Sequence, residues 1–106
     1  MHKNQSFFVH QKADEDLEAI FDYSLEKFGF ARAARYIKDI EIMFEQLACS
    51  PQKGNTFDIQ LPNCLHLRVE SHFIYYAECQ GGIEIFRVLH QRMEPSKHLI
   101  DILDQD

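Results

Sequence analysis

Two amphipathic helical segments that follow each other along the chain limit the folds it can adopt. ADEDLEAIFDYSLEKFG (13–29) and ARAARYIKDIEIMFEQLACSP (31–51) both repeat apolar residues every three or four positions. The repeating positions are Leu17, Ile20, Phe21 and Phe28, with Ser24 on the same face, and then Ala33, Tyr36, Ile37, Ile40, Met43, Phe44 and Leu47. Gly29 ends the first helix and Pro51 ends the second. Because so few residues join the two helices, they must fold back as a hairpin, and we expect its apolar stripes to pack on a sheet.

Strand patterns lie on both sides of this hairpin. The strand segments are 6–11, 65–70, 73–79 and 83–90. Segment 83–90 is apolar on both faces, which indicates a central strand. Residues 52–64 are rich in turn formers and predict an irregular connection, and the chain after Pro95 has room for a short helix only. The order predicts one α+β domain over residues 1–106, with an N-terminal strand, an α-helical hairpin packed on an antiparallel β-sheet and a short C-terminal helix.

The charge of the chain disfavours one class of partner. The formal net charge is −6, and residues 12–28 hold six acidic residues against two lysines, which leaves a net charge of −4 there. General nucleic-acid binders present a basic face, because neutralising phosphates supplies most of their affinity. We therefore expect no direct sequence-specific nucleic-acid binding.

The titratable residues give no pattern for a metal site or a disulfide. The three cysteines, Cys49, Cys64 and Cys79, are an odd number without a close pair, and we expect reduced, mostly buried thiols. The six histidines lack metal-ligand spacing, so neither a metal nor another cofactor is expected. The chain has no membrane-length apolar run and no signal peptide at its start, and a cytoplasmic location is expected.

The segment RVLHQRMEP (87–95) places two arginines and a histidine at the end of the last predicted strand. In a regular strand, Arg87 shares a face with Ile85 and Leu89, which would bury its guanidinium group. A buried arginine needs an anionic partner, so a structural role is predicted for Arg87. The candidate partners in the first helix are Asp16, Asp22 and Glu26.

The rest of this segment has the composition of a binding surface. His90 shares the opposite strand face with Phe86 and Val88, whereas Arg92 and Met93 lie past the strand and are expected to be exposed. An exposed arginine beside a methionine combines a charged fork with an adaptable apolar group, which suits contact with a partner. The predicted target-binding residues, which include the start of the C-terminal helix, are His90, Arg92, Met93, Lys97 and His98.

Four fragments in this order resemble the RelE/ParE superfamily of type II toxin–antitoxin toxins, and the ParE branch most closely. ADEDLEAIFDYSLEKFG resembles the first helix of that branch, with its A-x-x-D-L-x-x-I-x-x-Y pattern. ARAARYIKDIEIMFEQLACSPQKG resembles the second helix and its exit. LRVESHFIYYAE resembles the arginine strand with the H-x-I-x-Y strand, and IEIFRVLHQRMEPSKHL resembles the terminal R-V-L-H-x-R-M-D-P segment, with Glu94 in place of the aspartate.

The resemblance implies a toxin that inhibits DNA gyrase by binding, without catalysis. It also implies a small cognate antitoxin that keeps the toxin inactive in a hetero-oligomer. RelE-like members instead cut mRNA on the ribosome, and a fold cannot choose between these outcomes. Arg68, Arg87 and His90 are the candidate catalytic residues if this chain is a nuclease. A late tyrosine and a lysine-rich face, which RelE-like nucleases share, are missing here. A third alternative is a non-toxic module that only binds antitoxin.

Overall fold

The computed structural model describes residues 6–103. The elements are β1 (Ser6–Val9), α1 (Gln11–Phe28), α2 (Phe30–Cys49), a 3-10 turn (Pro51–Lys53), β2 (Asn55–Thr56), β3 (Leu65–Val69), β4 (His72–Cys79), β5 (Gly82–His90) and α3 (Pro95–Leu103). This order confirms the predicted α+β fold with its N-terminal strand, helical hairpin and short C-terminal helix. The short strand β2 lies in the segment that was predicted to be irregular. Within the described residues, no helix is both long and apolar enough to span a membrane.

The five strands form one sheet in the order β1-β5-β4-β3-β2. The sheet is mixed, because β1 pairs parallel with β5 from Ser6 opposite Gly82 to Val9 opposite Ile85, while the other neighbours are antiparallel. The close approach of β1 depends on Gly82, whose φ is +150° and whose missing Cβ would collide with the carbonyl of Ser6. The antiparallel strands β3, β4 and β5 are thus extended by the parallel strand β1 at one edge of the sheet and by the short strand β2 at the other.

The helical hairpin covers one face of the sheet and forms the helix-side core. Its buried members are Ala13, Ile20, Ile40, Phe44, Leu47, Ala48, Ile74, Tyr76, Ile83, Ile85 and Val88. Leu17, Tyr36 and Ile37 pack against it as partly buried residues. The predicted stripes are therefore confirmed except at Phe21, which is half-buried outside this core, and at Phe28, which is 50% exposed with the Arg32 guanidinium over its ring. Phe28 is the last residue of α1.

A second apolar cluster, the opposite core, lies on the other face of the sheet. Its buried members are Cys64, Tyr75, Phe86, Leu89 and Leu99. Leu99 belongs to α3, which covers this face together with residues from the connection after β2.

All three cysteines are free, but only Cys64 is buried; Cys49 is exposed and Cys79 is half-buried, so the expectation of mostly buried thiols was wrong. Cys49 ends α2, and its position on the helix turns it away from the core.

A β-bulge in β5 changes which side chains share a face. Tyr75 pairs with Arg87 and Tyr76 pairs with Ile85, so Phe86 is an extra residue without a partner on β4. The alternation expected for a regular strand is therefore wrong from Phe86 onward. The helix-side core contains Ile85 and Val88, and the opposite core contains Phe86 and Leu89.

Candidate functional site

The edge of β5 beyond β1 is closed by the first turns of α1. β1 stops at Val9, and the last backbone bond to β5 in this region runs from the His10 N–H to the Ile85 carbonyl at 3.0 Å. Farther along β5, the Val88 N–H donates to Oδ2 of Asp16 at 2.9 Å. A carboxylate from a helix thus takes the place of the carbonyl that a longer β1 would have supplied.

The same carboxylate holds Arg87. Nε and Nη2 of Arg87 donate to the two oxygens of Asp16, each at 2.8 Å, which is the bidentate geometry that a guanidinium favours. Nη1 donates to the backbone carbonyl of His98 at 3.0 Å, so the side chain joins α1, β5 and α3. Both side chains are only 13% exposed, and the bond from Asp16 raises the pKa of Arg87. Of the three acidic residues considered as partners, Asp16 makes the contact, while Asp22 and Glu26 are exposed.

The structure does not bring the three candidate nuclease residues together. Arg68 lies in β3 and Arg87 in β5, and β4 runs between these two strands. Arg68 alternates with Leu67 and Val69 of the helix-side core, so its side chain is on the opposite face, where Nε donates to the Glu70 carbonyl at 2.6 Å. His90 lies on the helix side, against the ring of His72.

His72, which the sequence did not single out, connects β5 to the helical hairpin. Its ring contacts that of His90 with centroids 5.2 Å apart, and Nδ1 lies 2.7 Å from the hydroxyl of Tyr36 in α2. The Tyr36 hydroxyl also lies within hydrogen-bond distance of the Val69 carbonyl, at 3.1 Å. Burial, and secondarily the neighbouring His90, lower the pKa of His72 to about 4, although Asp16 acts in the other direction.

The lowered pKa of His72 predicts a loss of stability in weak acid. In the unfolded chain this group titrates near its usual value of 6.5, and in the folded chain near about 4. Between these values the unfolded state binds more protons, so the contribution of His72 is complete above pH 6.5 and is lost as the pH falls towards 4. We expect His72→Gln to flatten this part of the curve when urea unfolding is measured across that window. Equal losses in both proteins would contradict the prediction.

The segment after β5 is held at its base and exposed at its tip. The Gln91 N–H donates to the Ser71 carbonyl at 2.8 Å, and Nδ1 of His90 accepts from the Arg92 N–H at 3.1 Å. The side chains of Arg92 and Met93 point into solvent, and Met93 is 38% exposed. The first residues of α3 extend this surface: Lys97 is exposed and lies 3.4 Å from Glu94, and His98 is half-buried. We call Arg92, Met93 and Lys97 the β5–α3 surface.

A groove of about 630 Å³ runs between α1 and α2. Its floor is formed by Leu17, Phe21 and Ile37. Its rim is formed by Asp14, Glu18, Asp22 and Glu41, with no lysine or arginine among the residues that line the groove. The three rim residues of α1 are spaced four apart, and like charges at this spacing destabilise a helix by about 0.2–0.5 kcal/mol per pair.

This acidic row was visible in the sequence but was not recognised as part of a site. The spacing of Asp14, Glu18 and Asp22 places them on one helical face, which is a signal that sequence reasoning could have used. Glu41 could not be added in the same way, because its approach to α1 depends on how the two helices pack.

The matches to known proteins extend over most of the chain. The sequence model of the family described as "ParE toxin of type II toxin-antitoxin system, parDE" matches residues 7–95. Toxin ParE1 of Mycobacterium tuberculosis (strain CDC 1551 / Oshkosh) is 29% identical over 94 residues, which cover 88% of this chain and 96% of that protein. Toxin ParE1 of Caulobacter vibrioides (strain ATCC 19089 / CIP 103742 / CB 15) is 30% identical over 91 residues, which cover 86% and 94% of the two chains.

A solved structure described as "Chromosomal ParDE TA system from P. aeruginosa" has the same fold. The TM-score is 0.71 at 22% sequence identity, and the superposition covers 84% of this chain and 98% of that chain. With a family match that spans most of its length, this chain belongs to the ParE toxin family of type II toxin–antitoxin systems.

Proposed function

We propose that this protein is a cytoplasmic toxin that inhibits DNA gyrase by binding to it, and that a small cognate antitoxin neutralises it in a hetero-oligomer. Family membership supports the toxin role. The P. aeruginosa protein of the same fold is described as part of a ParDE toxin–antitoxin system, which supports an antitoxin partner for this chain as well.

The observation that favours binding over RNA cleavage is that the guanidinium group of Arg87 is already hydrogen-bonded within the protein. Cleavage of a phosphodiester needs a base, an acid and cations that converge on one phosphate. Nε, Nη1 and Nη2 of Arg87 are directed at Asp16 and His98, and Arg68 lies on the face of the sheet away from His90. The arrangement therefore favours a structural role for Arg87 and leaves the β5–α3 surface, with its exposed cations and methionine, to contact gyrase.

Two substitutions on this surface test the proposal. We expect Arg92→Ala and Met93→Ala each to weaken inhibition of gyrase supercoiling by about tenfold, the size typical of a residue at the centre of an interface. Because both side chains are exposed, the thermal unfolding midpoint should be unchanged. Arg68→Ala is the matched control: it also removes an exposed arginine, but on the other face of the sheet, and should leave gyrase inhibition intact.

The same purified proteins distinguish the alternatives. A ribosome-dependent nuclease would cut mRNA in a translating extract, lose that activity in Arg68→Ala, and leave supercoiling untouched. A non-toxic module would bind antitoxin without affecting either process. Either result, obtained with folded protein at micromolar concentration, would rule out the gyrase proposal.

A further inference from the structure

The hydroxyl group of Tyr36 contacts both sides of the turn between β3 and β4. It lies 3.1 Å from the Val69 carbonyl, before the turn, and 2.7 Å from Nδ1 of His72, after it. The turn contains Glu70, whose φ of +52° is in the left-handed region that residues other than glycine seldom adopt. Because Tyr36 belongs to α2, this turn is fixed to the helical hairpin as well as to the sheet.

Two routes lead from this turn to the segment that follows β5. In the first, the Ser71 carbonyl accepts a hydrogen bond from the Gln91 N–H at 2.8 Å. In the second, the His72 ring meets the His90 ring at an interplanar angle of 87°, and Nδ1 of His90 accepts from the Arg92 N–H at 3.1 Å. One hydroxyl group of α2 is thus connected to two consecutive residues at the base of the β5–α3 surface.

His90 makes its hydrogen bonds inside this segment. Its Nδ1 holds the Arg92 N–H, and its carbonyl accepts from the Met93 N–H at 2.9 Å. Because Nδ1 accepts a hydrogen bond, the neutral ring carries its proton on Nε2. A ring fixed in this way keeps the backbone of Arg92 and Met93 in one conformation. A segment that is already ordered binds a partner more tightly than one that must be ordered on contact.

We propose that these contacts position Arg92 and Met93 for gyrase, and that they depend on Tyr36. The inference rests on the proposed function, since it names the residues that prepare the surface through which the chain binds its target. Tyr36, His72 and His90 are positioning residues in this assignment, because they act through the backbone of the segment after β5. At neutral pH the His72 ring does not repel that of His90, since burial lowers the pKa of His72 to about 4.

Two tyrosine variants with the same chemical change test this assignment. Tyr36→Phe removes the hydroxyl group on which the contacts depend. Tyr76→Phe is the matched control, because the Tyr76 hydroxyl also has two partners, the Pro51 carbonyl at 2.6 Å and the Gly54 N–H at 2.9 Å, beside the 3-10 turn. The measurements are the thermal midpoint, the inhibition of gyrase supercoiling, and the nitrogen NMR shifts of the imidazole rings at about pH 8, where imidazole side chains are uncharged.

Both variants should lower the thermal midpoint, because each loses the hydrogen bonds of a partly buried hydroxyl group. Only Tyr36→Phe should change the NMR shifts of His90, from those of the Nε2–H form to those of a mixture of the two neutral forms. Only Tyr36→Phe should weaken gyrase inhibition, by about fivefold. In a His90→Phe background, which has already lost Nδ1, Tyr36→Phe should weaken inhibition further by no more than about twofold.

Four results would overturn the inference. Unchanged NMR shifts of His90 in Tyr36→Phe would show that the hydroxyl group does not act on this ring. Changed shifts with full gyrase inhibition would show that the contacts do not prepare the surface. Equal weakening of inhibition by Tyr36→Phe and Tyr76→Phe would show that inhibition follows stability alone. If the unchanged chain left supercoiling untouched, the proposed function would fail and the role of these contacts with it, even where the shifts of His90 changed as expected.

Discussion

Replacing Asp16 by alanine should lower the free energy of unfolding by about 3–5 kcal/mol, because it leaves the Arg87 guanidinium buried without a counter-ion. The side chains are 13% exposed, so water cannot replace the lost carboxylate without opening the structure. The change also removes the acceptor of the Val88 N–H at the edge of β5. The measurement is urea unfolding at pH 7. A domain of this size has a total stability of about 5–15 kcal/mol, so much of the protein's margin depends on one carboxylate.

Two further variants show whether the loss of stability comes from the Asp16–Arg87 contact or would follow from any substitution in α1. Asp14→Ala removes an exposed acid two positions away on the same helix and should change stability by no more than about 0.5 kcal/mol. The double change Asp16→Leu with Arg87→Met removes both charges and should recover a large part of the loss, since an apolar pair can replace a buried ion pair. If Asp16→Ala were as mild as Asp14→Ala, the Asp16–Arg87 contact would not support the fold.

Truncating large side chains of the helix-side core should lower the free energy of unfolding by a similar amount. Phe44 is 1% exposed and Ile40 is 0% exposed, both inside the contact between α2 and the sheet. Phe44→Ala should cost about 3–5 kcal/mol and Ile40→Ala about 2–5 kcal/mol, because each leaves a cavity as well as losing apolar burial. The loss should be greatest at Phe44, whose ring also packs against that of Phe7 in β1 with centroids 5.5 Å apart.

Ile42 provides the matched control for this prediction. It lies two residues from Ile40 on α2 but is 40% exposed, on the side of the helix away from the sheet. Ile42→Ala is chemically the same change and should cost less than about 1 kcal/mol, since the residue buries much less of its surface. Similar losses at Ile40 and Ile42, measured by chemical unfolding, would contradict the placement of α2 on the sheet.

Local patterns were sufficient to predict the architecture. The three- and four-residue repeat of α1 and α2, with Gly29 between them, predicted the hairpin, and the strand segments predicted β1, β3, β4 and β5 within a few residues. The four fragments of the resemblance predicted the family that the matches then confirmed. These features depend on neighbours in the sequence, where periodicity and end signals have direct physical meaning.

The predictions that the structure contradicts concern contacts between residues that are far apart in the sequence. The regular alternation of 83–90 was wrong after Phe86, because the bulge depends on how β5 aligns with Tyr75 and Tyr76 of β4. Phe28 was expected in the core but is exposed, because the helical repeat does not show how much of a helix the tertiary contacts cover. Arg68 and Arg87 were both candidate nuclease residues, and the strand order places β4 between them.

The sequence by itself determined the order of all the elements except β2, most of the stripes that meet in the core, and the acidic character of α1. Only the tertiary structure decided which of three acids pairs with Arg87, that His72 joins His90 to Tyr36, and that Glu41 completes the rim of the groove. The reason is that backbone and side-chain periodicity is a local property, whereas a pairing between elements depends on their relative rotation and register. A shift of one residue in strand register, or the corresponding rotation of a helix, changes which side chains meet.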